Sequence, residues 1–105
     1  MDTQEMLELA AKAVGIDGDY SGCVDAIVHP DGYWMPHNDD GDALRLALDL
    51  SISIDISGMF VHADCRHCKD DIGYFEENTA RNGGCIYTAT RRAIVRAAAA
   101  IGEAK

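Results

Sequence analysis

The sequence predicts an α+β domain in which three helices pack on a small antiparallel sheet of three to four strands, in the order α-β-β-α-β-β-α. Two observations predict this class. Both ends and the middle of the chain carry apolar residues three and four positions apart, which is the spacing of amphipathic helices. Between these segments lie short β-branched runs next to turn signals, and one run alternates strictly between apolar and polar residues.

The first helix is predicted over residues 2–14. Asp2 or Thr3 can cap its start, and Gly15 is a natural stop. Its buried stripe is expected to contain Met6, Leu7, Ala10, Ala13 and Val14.

A turn at residues 18–22 then leads into a predicted hairpin. Residues 23–29 are rich enough in β-branched side chains for a short strand, and Pro30-Asp31-Gly32 is a turn signal. Residues 33–35 are expected to pair back, and Pro36 ends this second strand or leaves it at an edge.

The second helix follows an acidic turn. Asp39 or Asp40 can serve as its N-cap, and Asp42 adds negative charge near the positive end of the helix dipole. The buried stripe of this helix is predicted to contain Ala43, Leu44, Ala47, Leu48 and Leu50.

The second half of the chain contains the strongest strand signal and the longest helix. In residues 51–56, SISIDI, the three isoleucines are predicted to share one buried face. Residues 59–62 and 72–75 are predicted to form further short strands. An alanine-rich helix is predicted over residues 88–104, with Ile86 and Tyr87 as its first turn or as the end of a strand.

Length and charge bound the function. A chain of 105 residues is near the commonest domain size, so residues 1–105 are expected to form one domain. The net charge of −9 argues against direct binding to nucleic acid or to an anionic membrane. The acidic surface either keeps the protein soluble or meets a basic partner, such as a nucleic-acid-binding protein whose groove it occupies.

The expected location is the cytoplasm. No apolar run approaches the ~18 residues of a membrane span, and the acidic start of the chain does not resemble a secretory signal. In a reducing cytosol the cysteines are expected as thiols or as metal ligands.

One segment suggests a metal site. Cys65 and Cys68 form a C-x-x-C pair, and Cys85 and His62 complete a set of four zinc ligands. His67, His37 or Cys23 could replace His62 as the fourth ligand. The commoner interpretation is a surface loop that carries thiols, and a redox pair is the third alternative. Apart from zinc, no cofactor is expected.

A second set of residues suggests a partner-binding surface. Asp39, Asp40 and Asp42 could face a basic partner, and Trp34 could anchor an interface. The alternatives are helix capping for the aspartates and a core position for Trp34. Arg91, Arg92 and Arg96 could grip an anion, although a helix face paired with nearby carboxylates is the commoner arrangement. Since no catalytic motif is present, the chain is not expected to be an enzyme.

Three segments together resemble small uncharacterised proteins encoded by tailed bacteriophages and prophages. They are LELAAKAVGI at residues 7–16, W-x-P-x-x-DDGDALRLAL at residues 34–48 and ATRRAIVRAAAAIG at residues 89–102. The resemblance implies an accessory protein that acts in the cytoplasm of a bacterial host cell. The predicted function is binding of a host protein, in one form the inhibition of a defence or regulatory machine by nucleic-acid mimicry. A zinc-binding module is the alternative, and homodimer formation is left open.

Overall fold

The computed structural model describes residues 2–65 and 74–104. Within them the chain forms three α-helices, six β-strands and one 3-10 turn. In chain order these are α1 (Thr3–Val14), β1 (Asp19–Ser21), β2 (Ala26–His29), β3 (Gly32–Trp34), α2 (Asp40–Asp49), β4 (Ile52–Ser57), β5 (Phe60–Cys65), β6 (Tyr74–Asn78), the 3-10 turn Thr79–Asn82, and α3 (Ile86–Ala104). The predicted α+β class with three helices is confirmed.

The strands form two small antiparallel sheets instead of the single predicted sheet. The first has the order β1-β2-β3 and the second the order β4-β5-β6. The first sheet gains a strand because residues 19–21, predicted as part of a turn, pair with β2 and place Tyr20 opposite Ile27. The second sheet is centred on β5, which pairs Ala63 with Ile54 on one side and with Phe75 on the other.

The helix ends follow the local signals closely. Asp2 caps α1 by accepting a hydrogen bond from the Glu5 amide at 2.8 Å, and Gly15 ends the helix with a left-handed φ of 76°. Asp39 caps α2 in the same way, accepting from the Asp42 amide at 2.8 Å. These predicted caps are confirmed because capping depends on residues only three positions apart.

The centre of the core is α3, which packs against α1 on one side and against the second sheet on another. Alanines at most of its buried positions keep its surface flat, so that its neighbours approach closely. One such close approach is at Gly102, where an added Cβ atom would lie 1.8 Å from the backbone oxygen of Leu9. In the part of the chain that is described, no helix combines the length and apolar character needed to cross a membrane.

Two predicted buried faces are partly wrong. In β4, Ile52 is buried, but Ile54 and Ile56 are 37% and 57% exposed. In α2 the buried residues are Ala43, Leu46 and Ala47, whereas Leu44 and Leu48 lie exposed. The reason is the position of α3, which covers Val61 and Ala63 of β5 completely and leaves the outer strand β4 projecting beyond it.

Candidate partner-binding surface

Exposed apolar side chains line a groove between α2, β4 and α3. The groove has a volume of about 430 Å³. We call it the β4 groove and define it by Asp40, Ala43, Leu44, Ile54, Ile56, Ile86, Tyr87, Thr90, Arg91 and Ile94. Soluble monomers rarely expose large contiguous apolar patches, and such patches with a polar rim mark interaction sites.

Four side chains give the groove its apolar character. Leu44 on α2 is 57% exposed, Ile54 and Ile56 on β4 are 37% and 57% exposed, and Tyr87 on α3 is 65% exposed. They come from three elements that are distant in sequence, so only the tertiary structure brings them together. The sequence pattern assigns Leu44, Ile54 and Ile56 to the core.

The strand that forms one wall of the groove lies at the edge of its sheet. All six residues of β4 pair with β5, from Ile52 opposite Cys65 to Ser57 opposite Phe60. On its other side, no strand among residues 2–65 and 74–104 pairs with β4. Alternate residues of β4 therefore direct their N–H and C=O groups away from the sheet.

The three aspartates predicted to bind a partner lie at the N-terminus of α2, the helix whose residues Asp40, Ala43 and Leu44 line this groove. Asp40 belongs to its rim, where its Oδ1 is 2.6 Å from Nη1 of Arg91. Asp42 accepts a hydrogen bond from the Met35 amide at 3.0 Å and pairs with Arg45 at 2.7 Å. Helix capping by Asp39 is confirmed, and the partner-binding role of all three stays a prediction.

Trp34, predicted as an interface anchor, is instead a core residue. Its side chain is 7% exposed and packs in the central hydrophobic cluster. Trp34 pairs with Ile27 across the first sheet, and the alternation of β3 turns the neighbouring Tyr33 outward, where it is 57% exposed. The anchor interpretation of Trp34 is wrong, and the alternative core interpretation is confirmed.

The predicted zinc ligands fall partly outside the described residues. Cys68 lies there, Cys65 is the last residue of β5, and the Nε2 atom of His62 is 2.9 Å from Oε2 of Glu76. Within residues 2–65 and 74–104, no three His, Cys, Asp or Glu side chains are grouped so that they could hold a metal ion. The zinc site therefore stays a prediction, which elemental analysis of the purified protein can decide.

Cys85, the third predicted ligand, lies immediately before α3. The hydroxyl and amide of Thr88 and the amide of Tyr87 lower the pKa of its thiol, and the charge of Arg91 adds to this effect. The residue is partly buried, and the thiolate forms more readily than in an ordinary cysteine. The sequence left this environment open, because it predicted the helix from residue 88 and gave Ile86 and Tyr87 as its first turn or as the end of a strand.

A polar cluster that the sequence did not predict connects the first sheet to the segment before α2. The hydroxyl of Tyr20 donates to Oδ1 of Asp25 at 2.6 Å, and Nε2 of His37 is 3.0 Å from Oδ2 of Asp25. The Tyr20 hydroxyl, and then His37, hold the pKa of Asp25 below its ordinary value. Asp25 itself has a left-handed φ of 50°, which aspartate tolerates better than most residues.

This cluster has part of the arrangement of a general base. A carboxylate and the imidazole that it orients are two of the three members of a catalytic triad. The other ring nitrogen of His37, Nδ1, is buried without a hydrogen-bond partner among the described residues, and a cavity of about 210 Å³ lies beside the ring. Through Asp25 the cluster links the first sheet to the segment before α2, and the described contacts of His37 include no Ser, Thr or Cys side chain.

The predicted basic patch on α3 is engaged by carboxylates, as in the alternative interpretation. Arg91 pairs with Asp40, while Arg92 and Arg96 both pair with Glu77, which is 7% exposed. Asn82 donates a further hydrogen bond to Glu77 at 3.2 Å. Glu77, Asn82, Arg92 and Arg96 line a cleft of about 690 Å³, in which the negative charge of Glu77 offsets part of the charge of the two guanidinium groups.

Comparison of the chain with protein-family models, with curated proteins and with solved structures found no match in any of the three. The resemblance to bacteriophage proteins therefore stays a prediction from the sequence.

Proposed function

We propose that this chain is a small acidic accessory protein of a bacteriophage or prophage, and that it acts by binding a host protein through the β4 groove. The observation that supports this most directly is the exposure of Leu44, Ile56 and Tyr87, each more than half exposed around one groove. Because burying apolar surface is the main driving force of protein association, such a groove favours a binding function.

Charge gives the proposal a more specific form. Asp40 is exposed at the rim of the groove, and Asp39, Asp49 and Asp55 are exposed at the α2 N-cap, on α2 and on β4. A host protein with a basic surface, such as one that binds nucleic acid, would meet acidic groups around an apolar centre. Inhibition of a host defence or regulatory machine by imitation of nucleic acid is the role that this arrangement supports.

The test is affinity purification from a lysate of the bacterial host, followed by mass spectrometry. Ile56→Asp introduces a charge into the groove, and Tyr33→Asp is its matched control, because both side chains are 57% exposed and Tyr33 lies in the other sheet. We expect a protein that the wild type and Tyr33→Asp retain and that Ile56→Asp loses. Recovery of no protein at low salt, or equal recovery by the two variants, would contradict the proposal.

The dependence of binding on salt concentration separates the contribution of charge to the interface from the contribution of apolar burial. An interface of exposed charges weakens as ionic strength rises, because the Debye length falls from about 10 Å at 0.1 M to about 3 Å at 1 M. Burial of apolar side chains is not screened in this way. We therefore expect partial loss of the bound protein at high salt, and complete loss would mean that charge alone carries the interaction.

A further inference from the structure

We infer that the partner is held by strand addition. An extended partner segment, with apolar residues at alternate positions and Lys or Arg between them, pairs with the outer edge of β4 and places its apolar side chains in the β4 groove. This inference rests on the proposed function for the existence of a partner, and it adds the mode of binding and the chemistry of the bound segment.

The first argument is the state of the strand edge. Natural sheets protect their edges with proline, bulges, short strands or several charges, because an open edge is a template for another strand. β4 has six residues, no proline, no internal glycine and only one charged residue, Asp55. In the described part of the chain its outer edge pairs with no other strand. The hydrogen-bonding groups on that edge are therefore ready to pair with an added segment.

The second argument is that the groove lies where the side chains of an added strand would go. Ile54 and Ile56 share the face of the sheet that carries Val61 and Ala63, since each is paired with one of those residues. α3 covers Val61 and Ala63 and leaves Ile54 and Ile56 of β4 partly exposed. A strand placed about 4.8 Å beyond β4 would direct alternate side chains onto this face, and Leu44 on α2 forms the opposite wall.

The third argument is energetic. The four apolar side chains of the groove are already partly buried, so a partner gains only the burial of their remaining exposed surface. Association also costs translational, rotational and side-chain freedom, so these contacts alone do not hold a partner firmly. Main-chain hydrogen bonds along an edge strand are the additional contacts that this surface is built to offer.

Charge identifies the segment as basic. On α2, on β4, at the α2 N-cap and in the groove lining there are five carboxylates, from Asp39, Asp40, Asp42, Asp49 and Asp55. Two guanidinium groups, from Arg45 and Arg91, pair with Asp42 and Asp40, so the net charge of these seven groups is −3. Like charges across an interface are unfavourable, so an acidic strand is rejected and one with Lys or Arg is preferred. A second copy of this chain carries the same net charge of −9 and is for that reason a poorer occupant.

The experiment uses a synthetic peptide in which valine and isoleucine alternate with lysine and arginine, and a scrambled peptide of the same composition as its control. Fluorescence anisotropy gives the affinities. We expect the alternating peptide to bind at least tenfold more tightly than the scrambled peptide. Ile56→Asp should weaken it at least tenfold, and Tyr33→Asp should change it less than twofold.

Amide hydrogen exchange of the complex then tests the mode of binding. Strand addition should slow exchange at alternate amides of β4, the set that points away from β5. Binding that depends on Ile56 but leaves the β4 amides unchanged would overturn strand addition and leave the proposed function standing. Equal affinity for the alternating and scrambled peptides, or no binding of either, would also overturn it. Analytical ultracentrifugation tests whether a second copy of this chain occupies the groove. Self-association of the wild type that is absent in Ile56→Asp would show this and would overturn the inference of a basic partner segment.

Discussion

Substitution of Gly102 by alanine tests how closely α1 packs on α3. Close packing predicts that the substitution lowers the free energy of unfolding, whereas an exposed position predicts that it raises it. Inside an exposed helix this substitution stabilises by up to about 1 kcal/mol, because alanine has the higher helix propensity. In this structure the added Cβ atom would lie 1.8 Å from the backbone oxygen of Leu9 and 2.7 Å from its carbonyl carbon. These are backbone atoms, so no side-chain rotation can relieve the contact.

The magnitude follows from the displacement that is required. An ordinary contact is about 3.5 Å, so the two helices must separate by roughly 1.5 Å at this point. Such overpacking costs about 1–3 kcal/mol and occasionally more. Because the opposing atoms belong to the backbone, we take the upper end of this range, about 3 kcal/mol. After subtraction of about 1 kcal/mol for helix propensity, we expect Gly102→Ala to lower the free energy of unfolding by about 2 kcal/mol, which corresponds to a fall in Tm of about 10 °C.

Urea denaturation followed by circular dichroism measures this difference. The matched control is Gly22→Ala, since a Cβ atom added at Gly22 would meet no atom within 4 Å and this glycine does not have a left-handed φ. The control should change the free energy of unfolding by less than about 0.5 kcal/mol. A more stable Gly102→Ala protein would refute the close approach of α1 and α3.

Three further predictions concern polar groups. Asp39→Ala removes the cap of α2 and should lower the free energy of unfolding by about 1 kcal/mol, measured by urea denaturation. Glu77→Gln leaves two guanidinium groups without their buried carboxylate and should lower the free energy of unfolding by about 1–3 kcal/mol. The expected loss is below that of a fully buried ion pair because both arginines are partly exposed. An unchanged midpoint of urea denaturation would contradict this ion-pair network. Asp25→Asn should lower the raised pKa of Tyr20 towards its ordinary value of 10.0 in an NMR titration. The pKa of Asp25 is lowered in the folded protein, so its ionised carboxylate stabilises the fold at pH values above its ordinary pKa of 3.8. This stabilisation is lost as the pH falls through the folded pKa. We expect the loss of stability in acid to be smaller in Asp25→Asn than in the wild type.

The features that the sequence predicted well depend on neighbouring residues. Capping by Asp2 and Asp39 and the end of α1 at Gly15 follow from groups three or four positions apart. The hairpin of β2 and β3 follows from the turn at residues 30–32. The third helix begins at Ile86, two residues before the predicted start at residue 88. The alternative in which Ile86 belongs to its first turn is therefore correct.

The features that the sequence did not predict depend on tertiary packing. The alternation in β4 identifies which isoleucines share a face, but the extent to which α3 covers that face decides which of them is buried. The same reason explains why Leu46, and not Leu44, faces the core in α2. The contact of Asp25 with His37 joins residues 12 positions apart across a turn, and no local pattern predicts it.

The most direct test of the partner-binding proposal is hydrogen exchange of the chain in complex with the protein that it captures from the host. The proposal predicts slower exchange in β4 and at the start of α2, with the first sheet unchanged. Slower exchange confined to β1, β2 and β3, with β4 exchanging as in the free protein, would show that the partner binds elsewhere and that the exposed groove has another role.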